Sequence, residues 1–167
     1  MSIQIAILTV SDRSFTGERE DLSGPALRSE VESCGWQVGF VRIVPDEIGQ
    51  IAETLAAWAD SGQVDVILTT GGTGFGARDV TPEATRQVVE RLTPGLEEAM
   101  RAASLKITPH AMLSRAVSGI RKAALIVNLP GSPRAALENF RVIGLVLPHA
   151  VELLREAQDA EQGHGSF

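Results

Sequence analysis

Four glycines in six residues, Gly71-Gly72-Thr73-Gly74-Phe75-Gly76, make the most chemically suggestive stretch of this 167-residue chain. Without Cβ atoms the backbone can approach a ligand closely and turn its N–H groups inward, which suits phosphate. A helix N-terminus just downstream adds a favourable dipole. Thr81-Pro82-Glu83 predicts that terminus, with threonine as N-cap, proline at the first helical position and an acid in the first turn. The loop is not a P-loop, because no Gly-Lys-Ser/Thr follows it. From Gly72 to Ala77 it matches Gly-x-Gly-x-x-Ala loosely. However, Arg78-Asp79-Val80 separate it from the helix, and no acid ends a strand about 20 residues further on, so a dinucleotide oxidoreductase is disfavoured. A glycine-rich turn without a ligand is the alternative reading.

Asp46 and Asp79 belong together. Each follows a predicted strand and precedes a helix, so both are expected at one crevice beyond the strand C-termini, where open α/β sheets bind ligands. Two carboxylates beside a phosphate cradle make sense as magnesium ligands, since that ion takes few protein oxygens and completes its shell with water and substrate phosphates. Taken singly, Asp46 reads as a turn or cap residue and Asp79 as a loop hydrogen-bonder. Ser11-Asp12, just after the first strand, would point at the same crevice, with helix capping as its rival role. His110 and His149 lack a third ligand in register, and no Gly-x-Ser-x-Gly elbow or Ser/His/Asp arrangement is present.

These residues need a scaffold, and the pattern alternates strand and helix. It predicts an α/β fold: a single α/β/α domain over 1–156, with a mostly parallel central sheet, a small β-hairpin subregion and a polar C-terminal tail over 157–167. Residues 3–10 read as a buried first strand, 36–44 as the second and 65–70 as the third, at the sheet centre. A polar loop is expected over 11–23. Leu27, Val31 and Cys34 share a helical face, which places Cys34 in the core. Ala84, Val88 and Leu92 mark the helix after the glycine loop. Leu96, Ala99, Met100 and Ala103 mark the inward face of the next. Residues 116–122 and 124–129 read as strands around a tight turn, and a final helical region breaks near Pro148.

Composition narrows the class. Hydrophobic residues make up 44% of the chain, no apolar run reaches the roughly 18 residues of a membrane span, and the N-terminus lacks the pattern of a signal peptide. A cytoplasmic protein is expected. The single cysteine excludes an internal disulfide framework and a multi-cysteine zinc site. The net charge of −6, with no tyrosine among the basic residues, argues against nucleic acid. Yet no acid lies between Glu98 and Glu138, a stretch holding Arg101, Lys106, Arg115, Arg121, Lys122 and Arg134. It reads either as a solvated face or as a positive field around a small anion.

The run from Thr69 to Thr85 (TTGGTGFGARDVTPEAT) resembles the signature of the molybdopterin adenylyltransferases, including MogA-type bacterial enzymes and the G domain of gephyrin. Ser11-Asp12-Arg13, Ile43-Val44-Pro45-Asp46-Glu47, Met112-Leu113-Ser114-Arg115 and Asn128-Leu129-Pro130-Gly131-Ser132 agree as well, so the likeness runs from about residue 3 to 154. The resemblance implies a homotrimer in which AMP passes from MgATP to the terminal phosphate of molybdopterin, releasing pyrophosphate. It implies that Asp46 and Asp79 are the catalytic, metal-associated pair. It also implies that the nucleotide lies around Gly71, Gly72, Thr73 and Gly74, with Thr73, Ser104 and Ser114 binding substrate and Pro130, Gly131 and Ser132 shaping the site. Under it, the acid-free stretch favours an anionic ligand, and molybdenum insertion falls to a separate protein. MoaB-type relatives, which share the glycine loop, leave a second reading: a pterin- or nucleotide-binding carrier without efficient catalysis.

Overall fold

Period-2 alternation organises the molecule. The first strand, β1 (Gln4–Val10), sends Ile5 and Ile7 to one face and Ala6, Leu8 and Val10 to the other, and all five are buried. β3 (Val66–Thr70) and β6 (Ala124–Leu129) divide in the same way, with Val66, Leu68, Leu125, Val127 and Leu129 on the first face and Ile67, Ala124 and Ile126 on the second. Strands buried on both sides need helices on both sides, which is why these segments read as continuous apolar runs. The computed structural model describes residues 2–164.

The sheet has six strands in the order β2-β1-β3-β6-β5-β4. β2 (Gln37–Val44), β1, β3 and β6 are parallel, while β5 (Ser118–Arg121) and β4 (Arg91–Leu92) complete the sheet in antiparallel fashion. One face is covered by α2 (Ser23–Ser33), α5 (Pro94–Leu105), α6 (Pro133–Gly144) and α7 (Leu147–His164), through Leu27, Val31, Met100, Phe140, Ile143 and Val151. The other is covered by α3 (Ile48–Asp60) and α4 (Thr81–Val88), through Ile51, Leu55, Ala59, Ala84 and Val88. Fully burying one of the larger of these, a Leu, Ile, Val, Met or Phe, stabilises by roughly 1.5–3 kcal/mol. Each layer also holds an aromatic pair. Trp36 meets Phe140 edge-on at 6.0 Å, and Phe40 stacks on Trp58 at 5.8 Å.

The mostly parallel α/β/α architecture and the β5–β6 hairpin agree with the sequence expectation, and several local details correct it. Cys34 is exposed, because α2 stops at Ser33 and Cys34 caps it from outside the packed face. The segment 11–23 is not all loop: α1 (Asp12–Thr16) forms after Ser11, whose hydroxyl accepts from the Ser14 N–H. α4 ends at Val88, and Val89 turns extended so that Glu90 N–H can donate to the Ile120 carbonyl. Leu92 therefore lies in an edge strand, not on a helix. On α5, Ala99 is exposed and Glu97 is buried. The expected tail over 157–167 is helical as far as His164, in keeping with the helix-favouring Ala157, Gln158, Ala160, Glu161 and Gln162. Its last part, 165–167, lies outside the described residues.

The strand ends meet at Gly71. Its φ of +103° is costly for an L side chain, and a Cβ there would lie 2.3 Å from the Val10 carbonyl oxygen. Gly71→Ala is expected to lose about 2–4 kcal/mol in urea unfolding, from backbone strain plus overpacking. Gly17→Ala should lose only about 1 kcal/mol, since Gly17 also has positive φ but opens onto free space.

Candidate functional site

Beyond the C-terminal ends of the parallel strands, four loops are tied together by hydrogen bonds that the strands alone would not supply. The Thr70 hydroxyl donates to the Pro130 carbonyl (2.7 Å), and Gly71 N–H donates to the Leu129 carbonyl (3.2 Å). A Cβ on Gly131 would approach Gly71 Cα to 3.2 Å, so the Pro130-Gly131-Ser132 loop lies directly against the glycine loop. Thr81 is the first residue of α4 and not its cap. Its hydroxyl donates to the Gly71 carbonyl, and its N–H donates to the Gly72 carbonyl (3.1 Å). The residue expected to cap the helix thus fastens the helix to the glycine loop.

Arg115 secures the far limb of that loop. Its N–H donates to the Thr73 carbonyl and its guanidinium to the carbonyls of Gly74 (2.8 Å) and Asp79 (2.6 Å), while Glu83 takes Nη1 and shares Nη2 with the Asp79 carbonyl. The same contact holds the Glu83 carboxyl below the usual carboxylate range. Beneath the loop, buried Asn128 donates to the Thr69 and Thr85 hydroxyls and accepts from Val117 N–H. Buried polar groups satisfied in this way hold one geometry.

Asp12 and Asp46 bond reciprocally. Asp12 N–H donates to Asp46 Oδ2 (2.8 Å), and Asp46 N–H donates to Asp12 Oδ1 (3.0 Å). Arg78 completes the clamp by donating to both Asp12 oxygens (2.6 and 3.1 Å) and to Glu47 (2.9 Å). The Asp12 carboxyl is consequently lowered, chiefly by Arg78 and then by the Asp46 N–H. Asp46 is raised instead. Half-burial dominates, and the charges of Asp12 and Asp79 add to it against the lesser relief from the Asp12 N–H and Arg78.

Asp46 and Asp79 line one hollow of about 630 Å³, together with Ser11, Gly71, Gly72, Gly131 and Ser132. Asp79 Oδ2 accepts from Gly76 N–H (2.9 Å), which folds its side chain back under the glycine loop. A second cavity, of about 270 Å³, adjoins the other limb of the loop and is lined by Thr73, Gly74, Ser104, Ser114 and Pro130. The sequence-selected residues therefore fall into two neighbouring spaces that share the glycine loop and the Pro130 loop. Asp12 lines neither, and its geometry makes it the fastening of Asp46. Ser104 donates to Asn139 Oδ1 (3.1 Å), and the Ser114 hydroxyl accepts from Ala116 N–H (3.3 Å).

The acid-free basic stretch is mostly engaged in structure. Arg121 and Lys122 pair with Asp60, Arg134 with Glu138 and Arg115 with Glu83. Only Arg101 of the six lines the second cavity. Sequence reasoning missed Asp21, which lines the first hollow and accepts from the Thr9 hydroxyl and Gly24 N–H. It also missed Glu97, which faces the second. The signal for Glu97 was the spacing of Glu97, Met100, Arg101 and Ser104 at i, i+3, i+4 and i+7. Among the described residues, no group of three or more His, Cys, Asp or Glu could hold a metal by itself. Nor is any helix long and apolar enough to cross a membrane.

Asp46 carries the clearest pH consequence. Its carboxyl binds a proton more tightly in the folded chain than in the unfolded one, so ionising it as pH rises through and above the ordinary aspartate value of about 4 costs stability. Asp46→Asn keeps an oxygen for the Asp12 N–H and removes that charge. It should melt above the wild type at pH 7, with the difference shrinking to nothing below about pH 4. Calorimetric melting of both proteins across that range checks this.

Residues 6–149 match the family described as "Probable molybdopterin binding domain". The molybdenum cofactor synthesis protein cinnamon of Drosophila melanogaster is 46% identical over 92% of this chain, which spans about a quarter (26%) of that longer protein. The molybdopterin adenylyltransferase of Helicobacter pylori (strain 26695) is 41% identical, covering 92% of this chain and 88% of the relative. Among solved structures, the molybdopterin biosynthesis enzyme MoaB of Thermus thermophilus superposes with a TM-score of 0.86 at 47% identity, covering 91% of this chain and 96% of that one.

Proposed function

From the chain's membership of the molybdopterin-binding domain family, we propose that it is a molybdopterin adenylyltransferase of molybdenum cofactor biosynthesis. In this reaction an oxygen of the terminal phosphate of molybdopterin attacks the α-phosphorus of ATP. The bond between the α- and β-phosphates breaks, and pyrophosphate leaves with the electron pair. The observation that carries the reading is the pair of adjoining spaces on either side of one glycine loop. A two-substrate transfer needs two such spaces, with the reacting phosphates brought to their common boundary.

The polar hollow with Asp46, Asp79, Gly71 and Gly72 suits the triphosphate. The cavity with Thr73, Ser104, Ser114 and Pro130 suits molybdopterin, and Gly131 and Ser132 close the space between the two. Asp46 and Asp79 fit a magnesium ion in one respect: both are half-buried, Asp46 feels the charge of Asp79, and the nearby Arg78 is engaged on Asp12 and Glu47. Two carboxylates are enough for an ion that takes its other ligands from phosphates and water. When bound, that ion neutralises phosphate charge and stabilises the departing pyrophosphate. The protein's own part is positioning. Arg115 and Thr81 hold the loop, Arg78 and Asp12 aim Asp46, and the Gly76 N–H aims Asp79.

A carrier without turnover is the second reading, and it rests on the resemblance to MoaB-type relatives alone; MoaB and MogA structures superpose equally well, each with a TM-score of 0.86. Homotrimeric assembly, a cytoplasmic location and a separate molybdenum-insertion partner complete the proposal, and they rest on family resemblance. Sedimentation of the free protein tests the trimer.

Asp79→Asn is expected to keep its circular dichroism and melting behaviour, while pyrophosphate release from ATP and molybdopterin falls at least about 100-fold. An undiminished rate would remove Asp79 from the chemistry. Tight molybdopterin binding by wild type with no ATP-dependent product would favour the carrier.

A further inference from the structure

Glu97 is an anomaly of the second cavity. It is 93% buried, yet its one side-chain hydrogen bond among the described residues comes from the Ser118 hydroxyl. The other carboxylate oxygen has no protein partner among those residues and keeps access to the cavity, so acceptor positions of a largely buried carboxylate are offered to whatever fills that space. Arg101 stands one turn further along α5, at a spacing that commonly forms ion pairs, but does not pair with it. Instead Arg101 reaches the Ser114 and Ala116 carbonyls at 3.4 and 3.5 Å. Glu97, Met100, Arg101 and Ser104 all line the same space, so one face of α5 forms a wall with a carboxylate, a thioether and a guanidinium at successive levels.

We propose that Glu97 determines ring specificity by accepting two parallel hydrogen bonds from the 2-amino and N3–H edge of a pterin. That edge is a fork of two donors, matched in width and direction to a carboxylate, as a guanidinium is. Met100 offers the ring a polarisable apolar bed. Ser118 contributes by steadying Glu97 from behind, where its hydroxyl also lies 2.8 Å from the Thr93 carbonyl. Both the first turn of α5, where a helix favours negative charge, and the proline that opens the helix hold Glu97 in place. The inference rests on the molybdopterin reading of this cavity and adds the atom-level basis of its selectivity.

Pterin and lumazine test it directly, because lumazine carries a 2-oxo group in place of the 2-amino group. Their intrinsic fluorescence reports binding to the full-length protein. Wild type should bind pterin at least about tenfold more tightly than lumazine, since lumazine leaves the carboxylate facing an oxygen. Glu97→Gln presents an amide donor and should bring the two affinities together or invert them, with melting behaviour as the control for folding. Equal affinity for the two compounds in wild type would overturn the proposal, as would no pterin binding at millimolar concentration or an unchanged ratio in folded Glu97→Gln. If the variant does not fold, the wild-type ratio alone decides. Selectivity for pterin without pyrophosphate release would sink the adenylyltransferase reading and leave Glu97 standing. Turnover of molybdopterin without that selectivity would do the reverse.

Discussion

A side chain at residue 71 would collide with the backbone of β1, and the geometry of the site follows from that exclusion. Three parallel strands end together, and the chain leaving the central one must turn at once, with positive φ, between the Val10 carbonyl and Gly131. Only a residue without Cβ permits that approach. Because the turn is so tight, the two loops flanking it touch, and the spaces on either side stand one backbone apart. The topology supplies the place, since a parallel sheet gathers its loops at one end. The close contact supplies the distances.

Around that turn, charge is arranged to hold shape before it is available to bind. Arg78 and Arg115 both sit beside the glycine loop, and both are occupied by carboxylates and carbonyls of the protein. Their effect on a ligand is indirect. They fix the loop and leave Asp46 under strain from burial and from neighbouring negative charge, an arrangement common where charge must later be met by a substrate. The protein carries the electrostatic cost inside the site and offsets it with the two apolar layers on either side of the sheet.

Much of this was legible in the chain. The succession of strand and helix along the chain gave the layers, and the glycine run with Asp46 and Asp79 marked the hollow, because those signals are local and strong. What escaped was set by tertiary competition. Thr81 looked like a helix cap, but its hydroxyl found a better acceptor in the Gly71 carbonyl. Leu92 continued a helical face until the bare edge of β5 drew the chain into β4. Glu97 drew no reading, because an acid is seldom buried and its i, i+3, i+4, i+7 relation to Met100, Arg101 and Ser104 becomes visible only once the helix lines a cavity. The basic stretch looked like a ligand field, yet most of its charges had partners elsewhere in the fold that the linear order hides.

The two aromatic pairs have a practical consequence. Trp36 against Phe140 belongs to one helical layer, and Trp58 against Phe40 belongs to the other, with the sheet between them. The chain has no further tryptophan and no tyrosine. Emission excited at the red edge therefore comes from two half-buried indoles, each packed against a different half of the core. Replacing either one leaves a native reporter of whether its own half loosens first.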